Sequence, residues 1–93
     1  MAELLGRWRQ QAREAVLQAA PGAVVHGQVA DLGTAEGCAT LIKAVPSADI
    51  LVNNMGIYGP KPFFEIEDAD WQEMFDVNVM SGGRLTRHYL KDM

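Results

Sequence analysis

A single cysteine, Cys38, and two histidines, His26 and His88, stand in a chain of 93 residues, and that scarcity removes several kinds of chemistry at once. One thiol cannot close an internal disulfide, so a secreted, stapled scaffold is excluded and reducing surroundings are expected. A metal centre needs several His, Cys or acid ligands at matched spacing. Here the histidines lie far apart, and the acids from Asp68 onward carry Glu73 where a calcium loop needs glycine. No metal is expected. Long apolar runs are missing too: none approaches the ~20 residues of a membrane span, and acids and glutamines occupy the place of a signal peptide's apolar core. A cytoplasmic protein without a membrane partner is the expectation. Positive charge is also short, with eight Lys and Arg against twelve Asp and Glu for a net charge of -4. The resulting pI near 4.9 speaks against nucleic acid, which needs a basic face.

What is present is ordinary globular material, 48% hydrophobic and 22% charged, so disorder is not expected. Glu3 to Ala20 reads as an amphipathic helix, because Leu4, Leu5, Trp8, Ala12, Ala15, Val16 and Ala19 recur at helical steps before Pro21-Gly22 stops them. Ala23 to Ala30 reads as a strand around Val24, Val25 and Val29. His26 lies in it alone and is set aside as structural or exposed. Thr34 comes after a turn at Asp31-Leu32-Gly33 and is placed to cap a helix carrying Cys38, Leu41, Ile42 and Val45 on one face. Cys38 is therefore expected to be a core thiol.

Ile50-Leu51-Val52 is short and branched enough for a strand buried on both faces, and Asn53, Asn54 and Gly56 come directly after it. Strand, helix and strand make a βαβ unit, hence an α/β class with parallel strands. Ligands of open α/β sheets bind at the carboxyl ends of strands, where these asparagines would sit. The aromatic rings of the Pro60 to Phe64 loop either line a pocket or pack under the next helix, and packing is expected. Asp68 is read as the cap of that helix, with Asp70 and Glu73 in its first turns and Arg84, Arg87 and Lys91 toward its end, complementing the helix dipole.

Within this last helix Trp71, Phe75, Asn78, Gly82, Leu85 and Tyr89 are spaced four, three, four, three, four, which predicts one buried face. Asn78 in that face is either a hydrogen-bonded core asparagine or a functional group, since a buried amide without partners costs about 1–3 kcal/mol. Gly82-Gly83 suggests a kink or a close backbone approach. Gly33 to Ala39 imitates a phosphate-cradling loop, but Glu36 would repel a pyrophosphate and the second glycine pair is absent. Neither Tyr58 nor Tyr89 is followed four residues later by lysine.

Taken together, Asp31-Leu32, Asp49 to Gly56 and Asn78 resemble the middle of a short-chain dehydrogenase/reductase in both order and spacing. The resemblance implies a single incomplete NAD(P)-binding Rossmann-type domain over residues 1–93, an α-β-α-β-α unit containing the third and fourth strands of a doubly wound parallel sheet of order 3-2-1-4-5-6. It implies Asp31 and Leu32 near adenine, Asn54, Met55 and Gly56 along the cofactor, and Asn78 as the active-site asparagine. Met55 departs from the usual alanine. The family's glycine-rich loop and its Tyr-x-x-x-Lys pair are not in the sequence, so a fragment inactive by itself is expected. In the parent the cofactor would be NAD or NADP and the substrate a small carbonyl or alcohol. The alternatives are an interaction module, with the 68–93 helix pairing copies into a homo-oligomer, or a non-functional remnant.

Overall fold

The computed structural model describes residues 2–93. Helix α1 covers Ala2–Ala19 and α2 covers Ala35–Ala44. A long third helix comes next in three parts: α3 at Asp68–Phe75, a π-helical turn at Asp76–Met80, and α4 at Ser81–Tyr89. Short 3-10 turns occupy Phe63–Glu65 and Leu90–Asp92. Among the described residues no helix is long and apolar enough to cross a membrane.

The core lies between α2 and α4. Cys38, Leu85 and Tyr89 are buried there, and Leu32, Leu41, Ile42, Ala48 and Leu51 pack around them. Cys38 is thus the core thiol that its place on the helix predicts, and its Sγ donates to the Leu32 carbonyl at 3.3 Å. Two side chains of α4 secure the far end of α2: the Tyr89 hydroxyl donates to the Val45 carbonyl, and His88 Nε2 lies 2.8 Å from the Pro46 carbonyl. Carbonyls at a helix end lack partners within the helix, so these contacts both satisfy the backbone and lock the two helices together.

Neither expected strand forms a hydrogen-bonded ladder among the described residues. The physical reason is that a strand needs a neighbour: in the 3-2-1-4 order two strands would separate these segments, so they cannot pair with each other. Residues 50–53 nevertheless keep a strand's alternation. Ile50 and Val52 are 80% and 77% exposed, while Leu51 between them joins the core. The segment is therefore covered on one face, not on both. Helix α1 forms at its expected place, yet Leu4, Trp8 and Val16 on its apolar side remain exposed. Its tie to the next stretch of chain is polar, from Arg13 Nε to the Val25 carbonyl at 3.1 Å. The radius of gyration, 15.6 Å, exceeds the about 12 Å of a compact domain of this length.

The long helix departs from its expected stripe for a definite reason. A π turn inserts one residue and rotates the helix before it by about 100° relative to the helix after it. Trp71 and Phe75 thereby leave the face that holds Leu85 and Tyr89 and stand half exposed. The covered face instead runs through Met74, Val77, Ser81, Leu85 and Tyr89, whose last three steps are all of four residues. Among the described residues Gly83 meets nothing nearby, and a Cβ on Gly82 would touch Asn53 only at ordinary contact distance, 3.8 Å. The helix cap is Glu67, not Asp68: the Asp70 carboxylate accepts the Glu67 amide at 3.0 Å. Phe63 and Phe64 do not pack beneath the helix but lie exposed, edge to face at 5.5 Å.

Candidate functional site

The segment from Leu51 to Ile57 lies along the long helix and is fixed to it at three heights. Leu51 enters the core, the Asn53 Nδ2 donates to Thr86 Oγ1 at 3.1 Å, and Asn78 holds Ile57. The last contact is a double one: Asn78 Oδ1 accepts the Ile57 amide at 2.9 Å, and Nδ2 donates to the Ile57 carbonyl at 3.4 Å. An amide has a donor and an acceptor on adjacent atoms, so it can mimic a peptide neighbour and clamp an otherwise unpaired backbone. Met74 Sδ, 3.8 Å from Nδ2, completes its surroundings. Asn78 is exposed, not buried, because the π turn places it beside the covered face. Gly56 accommodates the clamp, since a Cβ there would lie 3.2 Å from Asn78 Oδ1.

At the other side, Asp31 organises the turn into α2. Its Oδ1 accepts the Gly33 amide at 3.0 Å, and its carbonyl accepts from Thr34 Oγ1 at 3.0 Å. Thr34 Oγ1 in turn accepts the Gly37 amide at 2.9 Å, the expected N-cap. Gly37 has a stricter task than a phosphate loop would give it: a Cβ at that position would fall 1.7 Å from the Asp31 carbonyl oxygen. The glycine is there to let two backbones touch.

Asp31 and Met55 meet across an open groove of about 560 Å³, which Gly33, Ile57 and Val77 also line. Leu32 turns away into the core, and Asn54 is exposed with no hydrogen-bond partner for its side chain among the described residues. Of the six residues singled out from sequence, Asp31 and Met55 share the groove, Gly56 and Asn78 share the clamp beside it, and Leu32 and Asn54 stand apart. Sequence reasoning misses Thr86 and the Ile57 backbone. Thr86 carries a usable signal, lying eight residues beyond Asn78 on a helix that faces two consecutive asparagines.

The loop from Ile57 to Ile66 is pinned near its middle by Lys61, whose Nζ sits 2.9 Å from Asp70 Oδ2. Asp70 is held below the usual carboxylate range, first by the Glu67 amide and then by the Lys61 ammonium. Lys61 is raised by the same hydrogen bond and by the Asp70 charge.

Comparison with known proteins gives this arrangement its context. Residues 4–93 match the short chain dehydrogenase family, and the chain belongs to that family. It is 54% identical over 71 residues to the uncharacterized oxidoreductase YvaG of Bacillus subtilis (strain 168), covering 76% of this chain and 27% of that protein. A second protein of that strain, the uncharacterized oxidoreductase YvrD, is 43% identical over 72 residues, 74% of this chain and 27% of its own length. Serine 3-dehydrogenase of Rhizobium radiobacter is 31% identical over 93 residues, 95% of this chain and 37% of that enzyme. The chain thus spans between 27% and 37% of the length of these relatives. The family has a Rossmann-like α/β fold, binds nicotinamide dinucleotides and acts as oxidoreductases.

Proposed function

We propose that the chain supplies one wall of the dinucleotide site of an NAD(P)-dependent alcohol or ketone oxidoreductase, with residues 23–30 and 50–52 as its third and fourth strands. The observation that carries this reading is the groove joining Asp31 to Met55, flanked by the Asn78 clamp on Ile57. The residues fit such a group on that side. Asp31 keeps one carboxylate oxygen unengaged among the described residues, Met55 and Ile57 offer an apolar strip, and Asn54 presents an unpartnered amide at the segment's end. Asp31 and Leu32 would meet the adenine, Leu32 through its backbone because its side chain is in the core, and Asn54 to Gly56 would meet the ribose and the nicotinamide side.

When bound, the nicotinamide supplies hydride transfer. The chain's own residues bind and orient. Asn78 fixes the turn after Gly56 through both groups of its amide, and the family resemblance assigns the same residue to holding a water in the proton relay. The tyrosine and lysine of that relay would come from the parent enzyme, of which residues 1–93 would be the central part of one domain. The half-exposed Trp71 and Phe75 offer the apolar surface through which the 68–93 helix would meet a second copy.

A chimera tests the reading: the matched segment of this chain replaces its counterpart in the YvaG protein, and NADH and NADPH binding is monitored by fluorescence. Binding of one of them is expected, with Asp31→Ala or Asn54→Ala weakening it about tenfold, the cost of a lost hydrogen bond to a polar ligand. Asn78→Ala should lower kcat more than cofactor affinity. A chimera that binds with full affinity despite both binding-residue substitutions would refute the assignment.

A further inference from the structure

We propose that the outer groove between α2 and α4 binds the phosphate group of a small molecule, at a site separate from the dinucleotide wall. The groove holds about 300 Å³; Ala35 and Ala39 form one bank, and Arg84, Arg87, His88 and Lys91 form the other. Its position is a consequence of helix geometry. Gly82 and Thr86 face Asn53, and Arg84 and His88, each two residues further on, point roughly 200° around the axis.

Charge is the first argument. Three permanent cations line the groove and no acid does, in a protein whose net charge is -4. Among the described residues the one ion pair is Lys61 with Asp70, so none of the three is neutralised. The helix dipole favours cations at and just beyond the last turn, such as Arg87 and Lys91, but it falls off over one turn and contributes less at Arg84, although sequence position alone places all three toward the helix end.

Arg84 is the second argument. Its Nη1 is shut off from solvent with no hydrogen-bond partner among the described residues. A guanidinium partly withdrawn from water without a counter-charge is unfavourable, and an anion in the groove offsets that by meeting the other nitrogens of the same delocalised cation. Three cations favour a doubly charged oxyanion over a single carboxylate, and the arginine fork suits phosphate oxygens. The alanines leave room, and the volume matches the lower end of small-ligand pockets, about 300–1,000 Å³. His88 is already held by the Pro46 carbonyl and acts as a fixed bank.

The test is a backbone-amide shift titration of the full chain with inorganic phosphate, against sodium chloride at matched ionic strength. Saturable millimolar binding is expected, with the shifts concentrated in residues 35–39 and 84–91. Arg84→Gln should weaken it about tenfold or more, the cost of removing a charged hydrogen-bond donor. Ala39→Glu places a carboxylate in the groove from an exposed position, so it leaves the helices intact and should abolish saturation even if the arginine variant folds poorly. Arg13→Gln, on α1, should change nothing. Shifts that rise linearly, that chloride reproduces, or that persist undiminished in Ala39→Glu would overturn the proposal.

Discussion

Helices α1 and α2 make an instructive pair. α1 is 18 residues long with a clear apolar side, yet it buries none of its large side chains, whereas α2 has 10 residues and supplies the most buried one, Cys38. The difference lies in what reaches each helix from elsewhere. α2 receives Tyr89 and His88 at its end, the Asp31–Thr34 turn at its start and Leu85 on its face, while α1 receives a polar contact from Arg13 to Val25. Amphipathic spacing states that a face favours burial; it does not supply the surface that buries it.

Substitutions can break or sharpen that contrast. The largest effect is expected for Leu85→Ala, which should cost about 3 kcal/mol by removing core packing, against under ~0.5 kcal/mol for Val16→Ala in α1; urea unfolding of both variants measures the gap. Gly37→Ala comes next, at roughly 2 kcal/mol or more, because its Cβ has no space beside the Asp31 carbonyl and a backbone must move. Gly83→Ala, in open surroundings, should instead be neutral or stabilising by about 0.5–1 kcal/mol through helix propensity. Thr34→Ala should cost about 1 kcal/mol through the lost cap, read as earlier fraying of α2 in amide exchange.

The smallest effect is a pH dependence of the Lys61–Asp70 tie. Asp70 has a lowered pKa in the folded chain, so its contribution is present above the ordinary carboxylate value and is lost as pH falls through the lowered one. Lys61 is raised, so its contribution is present below the ordinary lysine value and is lost as pH rises through the raised one. Amide protection at Glu67 should therefore be flat around neutrality and fall at the acid end, and Asp70→Asn should remove most of that fall.

Much of this is legible in the sequence, and the remainder is hidden for identifiable causes. Thr34 announces its helix because capping is a local interaction between neighbours, and Cys38 announces its burial by its place on the apolar face. The π turn is hidden by a uniform period of about 3.6, although the four-residue steps Val77, Ser81, Leu85, Tyr89 are too long for it. That single inserted residue moves Trp71 and Phe75 off the buried face and leaves Asn78 beside it. Asn78 is recognisable by type and spacing, but its partner is a backbone group, at Ile57, which no residue letter encodes. Gly37 looks like part of a ligand loop, and only the three-dimensional approach of Asp31 gives its reason.

The central claim is that Asp31, Asn54, Met55, Gly56 and Asn78 form one wall of a dinucleotide site. Amide-shift mapping of the chain with NAD at millimolar concentration tests it most directly. The expected result is weak binding, far from micromolar because one wall alone makes few contacts, with shifts concentrated at residues 31–33, 54–57 and 78. Shifts that centre on α1, or none at those positions, would contradict it.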